Sequence, residues 1–309
     1  MCQSQFTGQL AQDGFSRRAP GKSAAMHAAA FARVERASGL DRVGDRLQHV
    51  VQTLLRPQAV RDTLHGVWLG HPLHPALVQL PIGAWVSAAV LDLVRGQQRA
   101  ATTLVGVGVA SALPAAVAGV NDWVGLSRGQ RRVGLVHATG NLVGLILYSM
   151  SLSARIRGDH ARGRALAFLG LSAAGISAYI GGHLAYQQAA QVNQSAPELH
   201  RIPEGWHPVA DMAELPQGKL TGRRINEVAV LVYRDHDTVS VLLDRCGHQT
   251  GPLSEGHIVT VDGRTCVQCP WHGSVFGLDD GRVVHGPAGT DQPVLRTRVI
   301  DGVVHAALP

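Results

Sequence analysis

The sequence predicts a multidomain chain: an all-α bundle of four transmembrane helices followed by a small all-β domain. Residues 77–186 contain four long apolar runs with few charges inside them. Residues 203–309 contain short strand-like pieces separated by glycine turns, and a polar linker stands between the two parts. We therefore expect an N-terminal tail with an amphipathic helix at 1–56, a membrane domain at 57–188, a linker at 189–202 and the β domain after it.

The N-terminal part precedes any apolar run long enough to cross a membrane. Residues 1–37 are expected to be weakly structured, and the absence of a long apolar core in the first 76 residues predicts no secretory signal. From Leu40 to Leu55 the apolar residues fall at helical spacing, with Arg42 and Asp45 on the other face. This helix is expected either to lie on the membrane surface or to pack on protein.

The four apolar runs are each close to the length of about 20 residues that spans a bilayer. They lie at 77–94, 102–121, 134–154 and 165–186. Arginines stand between the runs, and the two sides of the membrane carry five and six of them near the span ends, so charge hardly determines orientation. We expect a multi-pass protein of the cell inner membrane, embedded in the lipid bilayer, with both termini and the β domain in the cytoplasm. The net charge of +6 includes no dense basic stripe with interleaved aromatic residues, which argues against nucleic-acid binding.

The β domain contains a cysteine and histidine pattern typical of a metal centre. Cys246-x-His248 is followed twenty residues later by Cys269-x-x-His272. A two-iron two-sulfur centre with two thiolates on one iron and two imidazoles on the other needs such a set. A zinc site that uses the Cys266-x-x-Cys269 spacing with the two histidines is the alternative. The sequence Cys-Pro-Trp-His-Gly favours the cluster, because a zinc ribbon does not require it.

The two segments Cys-Gly-His-Gln-Thr-Gly-Pro-Leu, from Cys246, and Cys-Pro-Trp-His-Gly-Ser, from Cys269, resemble the Rieske family over residues 203–309. The resemblance implies small antiparallel sheets with a 2Fe-2S cluster at the tip between two loops. It also implies that Gly286-Pro287 belongs to a scaffolding loop near the cluster. The implied function is the transfer of single electrons, with a soluble donor such as a ferredoxin reductase.

The residues around the pattern resemble the ferredoxin and dioxygenase type. Gly251 and Trp271 occupy the positions at which Rieske proteins of cytochrome bc complexes have an extra disulfide. Ser274 is expected to donate a hydrogen bond to a cluster sulfur, whereas Phe276 stands where relatives of high potential have a tyrosine. With one donor missing and no disulfide, we expect a reduction potential towards the low end of the Rieske range.

The segment Gly-His-Pro-Leu-His-Pro at 70–75, with the spans after it, resembles an uncharacterised bacterial family of four-helix membrane domains. The resemblance covers about residues 57–188. Members of that family are sometimes fused to Rieske domains, but the family brings no established activity.

Polar residues of the spans fall on one side of the membrane when the four helices alternate in direction. Asn121 and Asp122 end the second span on that side, from which the β domain also continues. Four histidines share it: His71, His74, His137 and His183. We expect a bound cofactor in contact with at least two of them, whether haem b, a metal ion or a quinone; the alternative is that they are structural. His65 and His160 are set aside as lying outside this group.

Three functions fit these features. The first is a membrane-anchored protein that passes single electrons between a soluble donor and a membrane cofactor or quinone. The second is an electron-supplying component of an oxygenase system. A terminal oxygenase needs a mononuclear iron held by two histidines and a carboxylate, and no domain with such a triad follows the cluster motif. The third is a redox sensor with a structural cluster.

Overall fold

The computed structural model describes residues 22–309, which form a helical part followed by a β part, as the sequence predicts. The helices are α1 (Lys22–Glu35), α2 (Asp41–Leu54), α3 (Gln58–His65), α4 (Leu73–Leu77), α5 (Gln79–Asp92), α6 (Gln98–Val124), α7 (Arg128–Ile156), α8 (His160–Gly182) and α9 (Ala196–Leu199). A single π-helical turn, His183–Gln187, continues α8.

Four helical segments are long and apolar enough to cross a membrane. They are Leu73–Asp92, which joins α4 and α5, Gln98–Val124, Arg128–Ile156 and His160–Gln187, with 20, 27, 29 and 28 residues. At 1.5 Å per residue even the shortest covers the roughly 30 Å of a bilayer core. The last three segments extend beyond their apolar runs at both ends, because polar residues continue the helix, whereas the first begins four residues before its run at Leu73 and ends two residues short of it at Asp92.

The bundle has a narrow core and an apolar outside. Trp85 of α5 stacks on Tyr148 of α7 with ring centroids 4.0 Å apart. Arg155 forms a buried ion pair with Asp92, with 2.8 Å between Nη1 and Oδ1. Many large apolar side chains of the same helices point outward and are exposed, among them Leu80, Val90, Leu113, Leu142, Ile146, Leu169 and Ile176. A helix with an apolar outer surface is expected to face lipid.

The N-terminal helices are more ordered than the sequence predicts. The expectation of a weakly structured segment at 1–37 is wrong for residues 22–35, which form α1; residues 1–21 lie outside the described part. Tertiary contact explains the difference, because Phe31 of α1 stacks on His183 at a centroid distance of 3.6 Å.

Helix α2 attaches to the bundle by its polar face. Asp41 pairs with Arg132 at 2.7 Å and Asp45 pairs with Arg131 at 3.1 Å. Its apolar residues Val43, Leu47, Val50 and Leu54 remain exposed. Helix α2 therefore packs on the bundle through the polar face that the sequence predicts to face water. Its apolar face remains exposed and is available to another surface.

The β part consists of two antiparallel sheets. One has the order β1-β10-β9-β4-β3-β2 and the other β5-β6-β7-β8. The strands are β1 (His207–Asp211), β2 (Leu220–Ile225), β3 (Val228–Asp235), β4 (Thr238–Leu243), β5 (His257–Val261), β6 (Arg264–Gln268), β7 (Val275–Gly277), β8 (Val283–His285), β9 (Val294–Ile300) and β10 (Val303–Ala307). The loop after β4 and the loop after β6 carry the predicted metal ligands.

Candidate metal centre and its contact with the helical domain

Backbone hydrogen bonds close the two ligand loops. The amide of Cys246 donates to the Gly251 carbonyl at 2.9 Å, and the amide of Thr250 donates back to the Cys246 carbonyl at 2.8 Å. In the other loop the amide of Cys269 donates to the Ser274 carbonyl at 2.8 Å. Such closed loops hold the ligand side chains in place before any metal binds.

The two cysteine side chains meet in the interior of the domain. The thiol of Cys246 is hydrogen-bonded to Cys269, which lowers the pKa of Cys269 to about 6 and raises the pKa of Cys246. Both residues are buried. Thiolate is the form that binds metal, so the pair has one sulfur ready to bind near neutral pH.

The two imidazoles form the second half of the site. The rings of His248 and His272 have centroids 5.0 Å apart and planes at 83°. Burial lowers the pKa of His248 to about 3 and also lowers the pKa of His272, so both rings are neutral at physiological pH. Both ring nitrogens of His248 are buried without a hydrogen-bond partner among the described residues. A buried, unpaired imidazole is costly, and a metal bond would satisfy one of its nitrogens.

This donor set fits a two-iron two-sulfur cluster. A thiolate pair and an imidazole pair match the two kinds of iron that such a cluster contains, and the cluster, when bound, supplies a one-electron redox centre. Within residues 22–309 no three His, Cys, Asp or Glu side chains converge on one ion position, as a tetrahedral zinc site would require. Cys266 lies apart, buried in β6 with its Sγ 3.7 Å from the Arg264 carbonyl.

The residues beside the predicted ligands have defined surroundings. A Cβ added to Gly251 would lie 2.8 Å from the Cys269 Sγ and 3.1 Å from Trp271, so Gly251 and Trp271 face each other beside the cysteine pair. The Ser274 Oγ accepts a hydrogen bond from the Ala288 amide at 3.0 Å, which leaves its own proton free to donate. Phe276 is fully buried in the same core cluster as both ligand cysteines.

The two histidines of the centre have opposite surroundings. His272 is exposed, and its neighbour Trp271 is 56% exposed. His248 is only 4% exposed, because the turn between α6 and α7 covers it. A Cβ added to Gly125 in that turn would lie 3.4 Å from both Cε1 and Nε2 of His248. One imidazole therefore faces water and the other faces the helical domain.

A carboxylate of α3 joins the two domains beside the centre. Asp62 accepts a hydrogen bond from the Gly286 amide at 3.0 Å through Oδ1, and its Oδ2 lies 2.9 Å from the Nδ1 of His285. On the other side of the centre Gln249 donates to Gln130 at 2.9 Å. These contacts hold both the ligand loop and the loop at Gly286-Pro287 against the membrane domain.

His65, which was predicted to lie outside the group of four histidines, lies in this interface. Its Nδ1 is 2.9 Å from Asp122 at the end of α6, and both side chains are buried. The His65 ring packs against Gly286 and interacts electrostatically with His248. No local motif marks His65, and its place beside the centre follows only from the docking of the two domains.

The four histidines predicted to form one group have different surroundings in the structure. His74 and His137 lie close enough that their side chains interact electrostatically. His71 is exposed and donates from Nδ1 to the neighbouring Pro72 carbonyl at 3.0 Å. His183 is engaged by α1, since it stacks on Phe31 and its Nε2 lies 3.4 Å from Glu35.

Two protein families match this chain. The Rieske [2Fe-2S] domain family matches residues 205–297, and the family described as "Predicted membrane protein (DUF2231)" matches residues 70–194. Both resemblances inferred from the sequence are thereby confirmed.

Individual relatives match the β part. Ferredoxin CarAc of Metapseudomonas resinovorans is 31% identical over 105 residues, which are 33% of this chain and 92% of that protein. The oxygenase component of dicamba O-demethylase of Stenotrophomonas maltophilia is 38% identical over 89 residues, 28% of this chain and 24% of that protein. The chain thus spans about a quarter of the length of that relative. The solved ferredoxin of carbazole 1,9a-dioxygenase from Nocardioides aromaticivorans IC177 is 23% identical, with a TM-score of 0.32, and covers 34% of this chain and 100% of that chain.

Proposed function

Because the chain belongs to the Rieske [2Fe-2S] family, we propose that it is a membrane-anchored protein that passes single electrons between a soluble donor and an acceptor in the membrane. The observation that carries the proposal is the opposite exposure of the two histidines of the centre. His272 is open to water, whereas His248 is covered by the turn at Gly125. Electrons would enter the cluster on the side of His272 and leave it on the side of His248.

The donor side is the exposed tip of the β domain. Trp271 and His272 present an apolar ring and an imidazole edge to water, with ring centroids 6.4 Å apart. An exposed aromatic beside a polar ligand is a surface on which a soluble protein can dock. A ferredoxin reductase is the class of donor that the family relationship suggests.

The acceptor side is the membrane domain. His248 lies against the turn that joins the second and third spans, and the pair His65 and Asp122 lies beside it. The contact holds a ligand of the centre at the end of the bundle, so an electron can reach a membrane acceptor without crossing the bilayer. Supply of a separate oxygenase would use the same cluster chemistry, but it gives no reason to cover His248 with the helical domain.

Membrane anchoring is supported by two independent apolar surfaces. The outward faces of the four spans are apolar, and the stripe of Val43, Leu47, Val50 and Leu54 on α2 is exposed. Such a stripe is typical of a helix that lies in the membrane interface. We place the protein in the cell inner membrane with the β domain in the cytoplasm, where a soluble reductase is available.

The test compares two glycines of the same turn region. Gly125→Val should push the β domain away, because a Cβ there would already be in contact with His248 and Pro287 at 3.4 Å and leaves no room for the two methyl groups of valine. Gly129→Val is the matched control, since no atom lies within 4 Å of its added Cβ. We expect Gly125→Val to keep the cluster's electron paramagnetic resonance signal and its reduction by a soluble reductant. Reoxidation of the cluster by a water-insoluble quinone in proteoliposomes should slow at least tenfold, and the control should behave as wild type. Equal reoxidation rates in all three proteins would overturn the proposal.

A further inference from the structure

The four spans form two helical hairpins that repeat the same construction. Tyr148 follows Trp85 by 63 residues, and these two rings stack on each other with planes 6° apart. Arg155 follows Asp92 by the same 63 residues, and these two form the buried ion pair. Residues at equivalent positions of the two hairpins therefore meet across the core.

The helices that complete the hairpins repeat as well. The Trp85 ring packs directly against Gly108 and occupies the space that a side chain there would need. The Tyr148 ring packs in the same way against Gly170, where an added Cβ would lie 2.9 Å from the tyrosine ring. These two glycines are 62 residues apart. In each hairpin an aromatic side chain of the first helix thus packs against a glycine of the second helix. The repeat therefore includes packing between helices as well as the spacing of residues along the chain.

His74 belongs to the first hairpin and is fixed by the helix that follows. Its Nδ1 lies 2.8 Å from the carbonyl oxygen of Ala115 in α6. A Cβ added to Gly119, one turn further on, would lie 2.8 Å from the ring. Because a carbonyl only accepts, Nδ1 carries the proton and the lone pair is on Nε2.

His137 is the equivalent residue of the second hairpin, 63 residues after His74, and is fixed in the same way. Its Nδ1 lies 2.8 Å from the Ser177 carbonyl, and a Cβ added to Gly181 would lie 2.9 Å from its ring. The amide of Asn141 donates to Nε2 at 3.1 Å, so here too Nε2 holds the lone pair. Iron bound to Nε2 would replace this hydrogen bond of the exposed Asn141 side chain. Both imidazoles are oriented by a backbone carbonyl, the arrangement that metal-ligating histidines show.

The number of ligands narrows what the pair can bind. Neither histidine belongs to a group of three or more His, Cys, Asp or Glu side chains able to hold an ion, as far as residues 22–309 show. A bare metal ion held by two protein ligands is poorly bound, whereas haem iron receives four nitrogens from its own macrocycle and needs only two axial ligands. Neither histidine can donate a hydrogen bond to a quinone, because both Nδ1 protons are already used.

We propose that His74 and His137 bind one haem of the b type through their Nε2 atoms, at the end of the bundle on which the β domain docks. This inference rests on the proposed function and names its acceptor. One electron leaves the reduced cluster, which returns to its oxidised state, and ferric haem iron becomes ferrous, with no bond made or broken. The original electron comes from the soluble reductase.

The test titrates the purified full-length chain in detergent with hemin. Wild type should bind one hemin per chain and give the optical and electron paramagnetic resonance spectra of six-coordinate, low-spin iron. His74→Ala and His137→Ala should each lose the low-spin spectrum and bind hemin at least tenfold more weakly. His71→Ala and His183→Ala are the matched controls and should bind as wild type.

The cluster signal of the same samples reports folding, and His137→Gln provides a variant that keeps a polar side chain of similar reach. Failure of wild type to bind hemin stoichiometrically would overturn the inference, as would equal binding by the double variant His74→Ala, His137→Ala. Reoxidation of the cluster by quinone is measured separately. If it proceeds in a protein that binds no hemin, this inference fails and the proposed function stands; if hemin binds and the cluster is never reoxidised, the proposed function fails.

Discussion

Asp62 and His285 join the two domains of the protein, with 2.9 Å between the carboxylate Oδ2 and the imidazole Nδ1. The same carboxylate accepts from the Gly286 amide. This residue of a short helix thus fixes the loop beside the cluster ligands, and the orientation of the centre towards the membrane depends on it.

Asp62→Asn should weaken this docking. The change removes the charge from both hydrogen bonds, and such charge-assisted bonds contribute about 1.5–3 kcal/mol each. We expect faster amide hydrogen exchange over residues 285–289 and slower electron transfer to quinone, with the cluster spectrum unchanged. Asp235→Asn is the control, because Asp235 pairs with His236 at the exposed surface, where an ion pair contributes little. Unchanged exchange in Asp62→Asn would show that other contacts hold the interface.

The ligand assignment predicts a sharp difference between the two histidines of the centre and Cys266. His248→Ala and His272→Ala should each abolish the Rieske resonance, since each removes one of two protein ligands to an iron. Cys266→Ser should retain the resonance, because Cys266 lies in β6 against the Arg264 carbonyl. Electron paramagnetic resonance of the reduced proteins measures this. Loss of the signal in Cys266→Ser would contradict the assignment.

Phe276→Tyr should raise the reduction potential of the cluster. Phe276 is buried with the ligand cysteines, and a hydroxyl there adds a donor that stabilises the extra negative charge of the reduced state. A hydrogen bond of about 1 kcal/mol corresponds to roughly 40 mV for one electron. Protein-film voltammetry gives the value directly. An equal or lower potential would mean that the added hydroxyl does not reach a sulfur.

The cysteine pair predicts a pH dependence in the cluster-free protein. The hydrogen bond from Cys246 lowers the pKa of Cys269 to about 6, below its ordinary value, so the thiolate forms as the pH rises through about 6. Ultraviolet thiolate absorbance should therefore increase around pH 6. In Cys246→Ala the donor is gone, and the midpoint should move up towards the ordinary value of about 8.5. A wild-type midpoint at the ordinary value would contradict a thiol pair in contact.

The features that could be predicted from the sequence are those encoded locally. The Rieske domain follows from the two short motifs at Cys246 and Cys269, and the structure closes each motif into one loop that holds its pair of proposed ligands. The four spans follow from the length of their apolar runs, since a bilayer requires about 20 residues whatever the helix contacts. Neither inference depends on how distant parts of the chain pack.

The features that escaped prediction depend on packing. Helix α1 is stabilised by tertiary contacts such as the stacking of Phe31 on His183. The polar face of α2 packs against the bundle because its carboxylates form ion pairs with Arg131 and Arg132. His65 becomes a neighbour of the cluster only when the β domain docks. The repeat of the two hairpins also escaped prediction. His74 and His137 are identical, but the core residues Trp85 and Tyr148, like Asp92 and Arg155, are equivalent in position and different in type, so their relationship is visible only in the packing.

The most direct test of the central claim is a single-turnover measurement on the full-length chain in proteoliposomes that contain a water-insoluble quinone. The cluster is reduced from the aqueous side by a soluble ferredoxin reductase with its nicotinamide substrate, and its resonance is followed with time after the reductant is exhausted. We predict that the signal decays as the quinone accepts one electron per chain, and that in liposomes without quinone it persists once any bound haem has been reduced. A cluster that is reduced normally but remains reduced in the presence of the quinone would contradict transfer into the membrane.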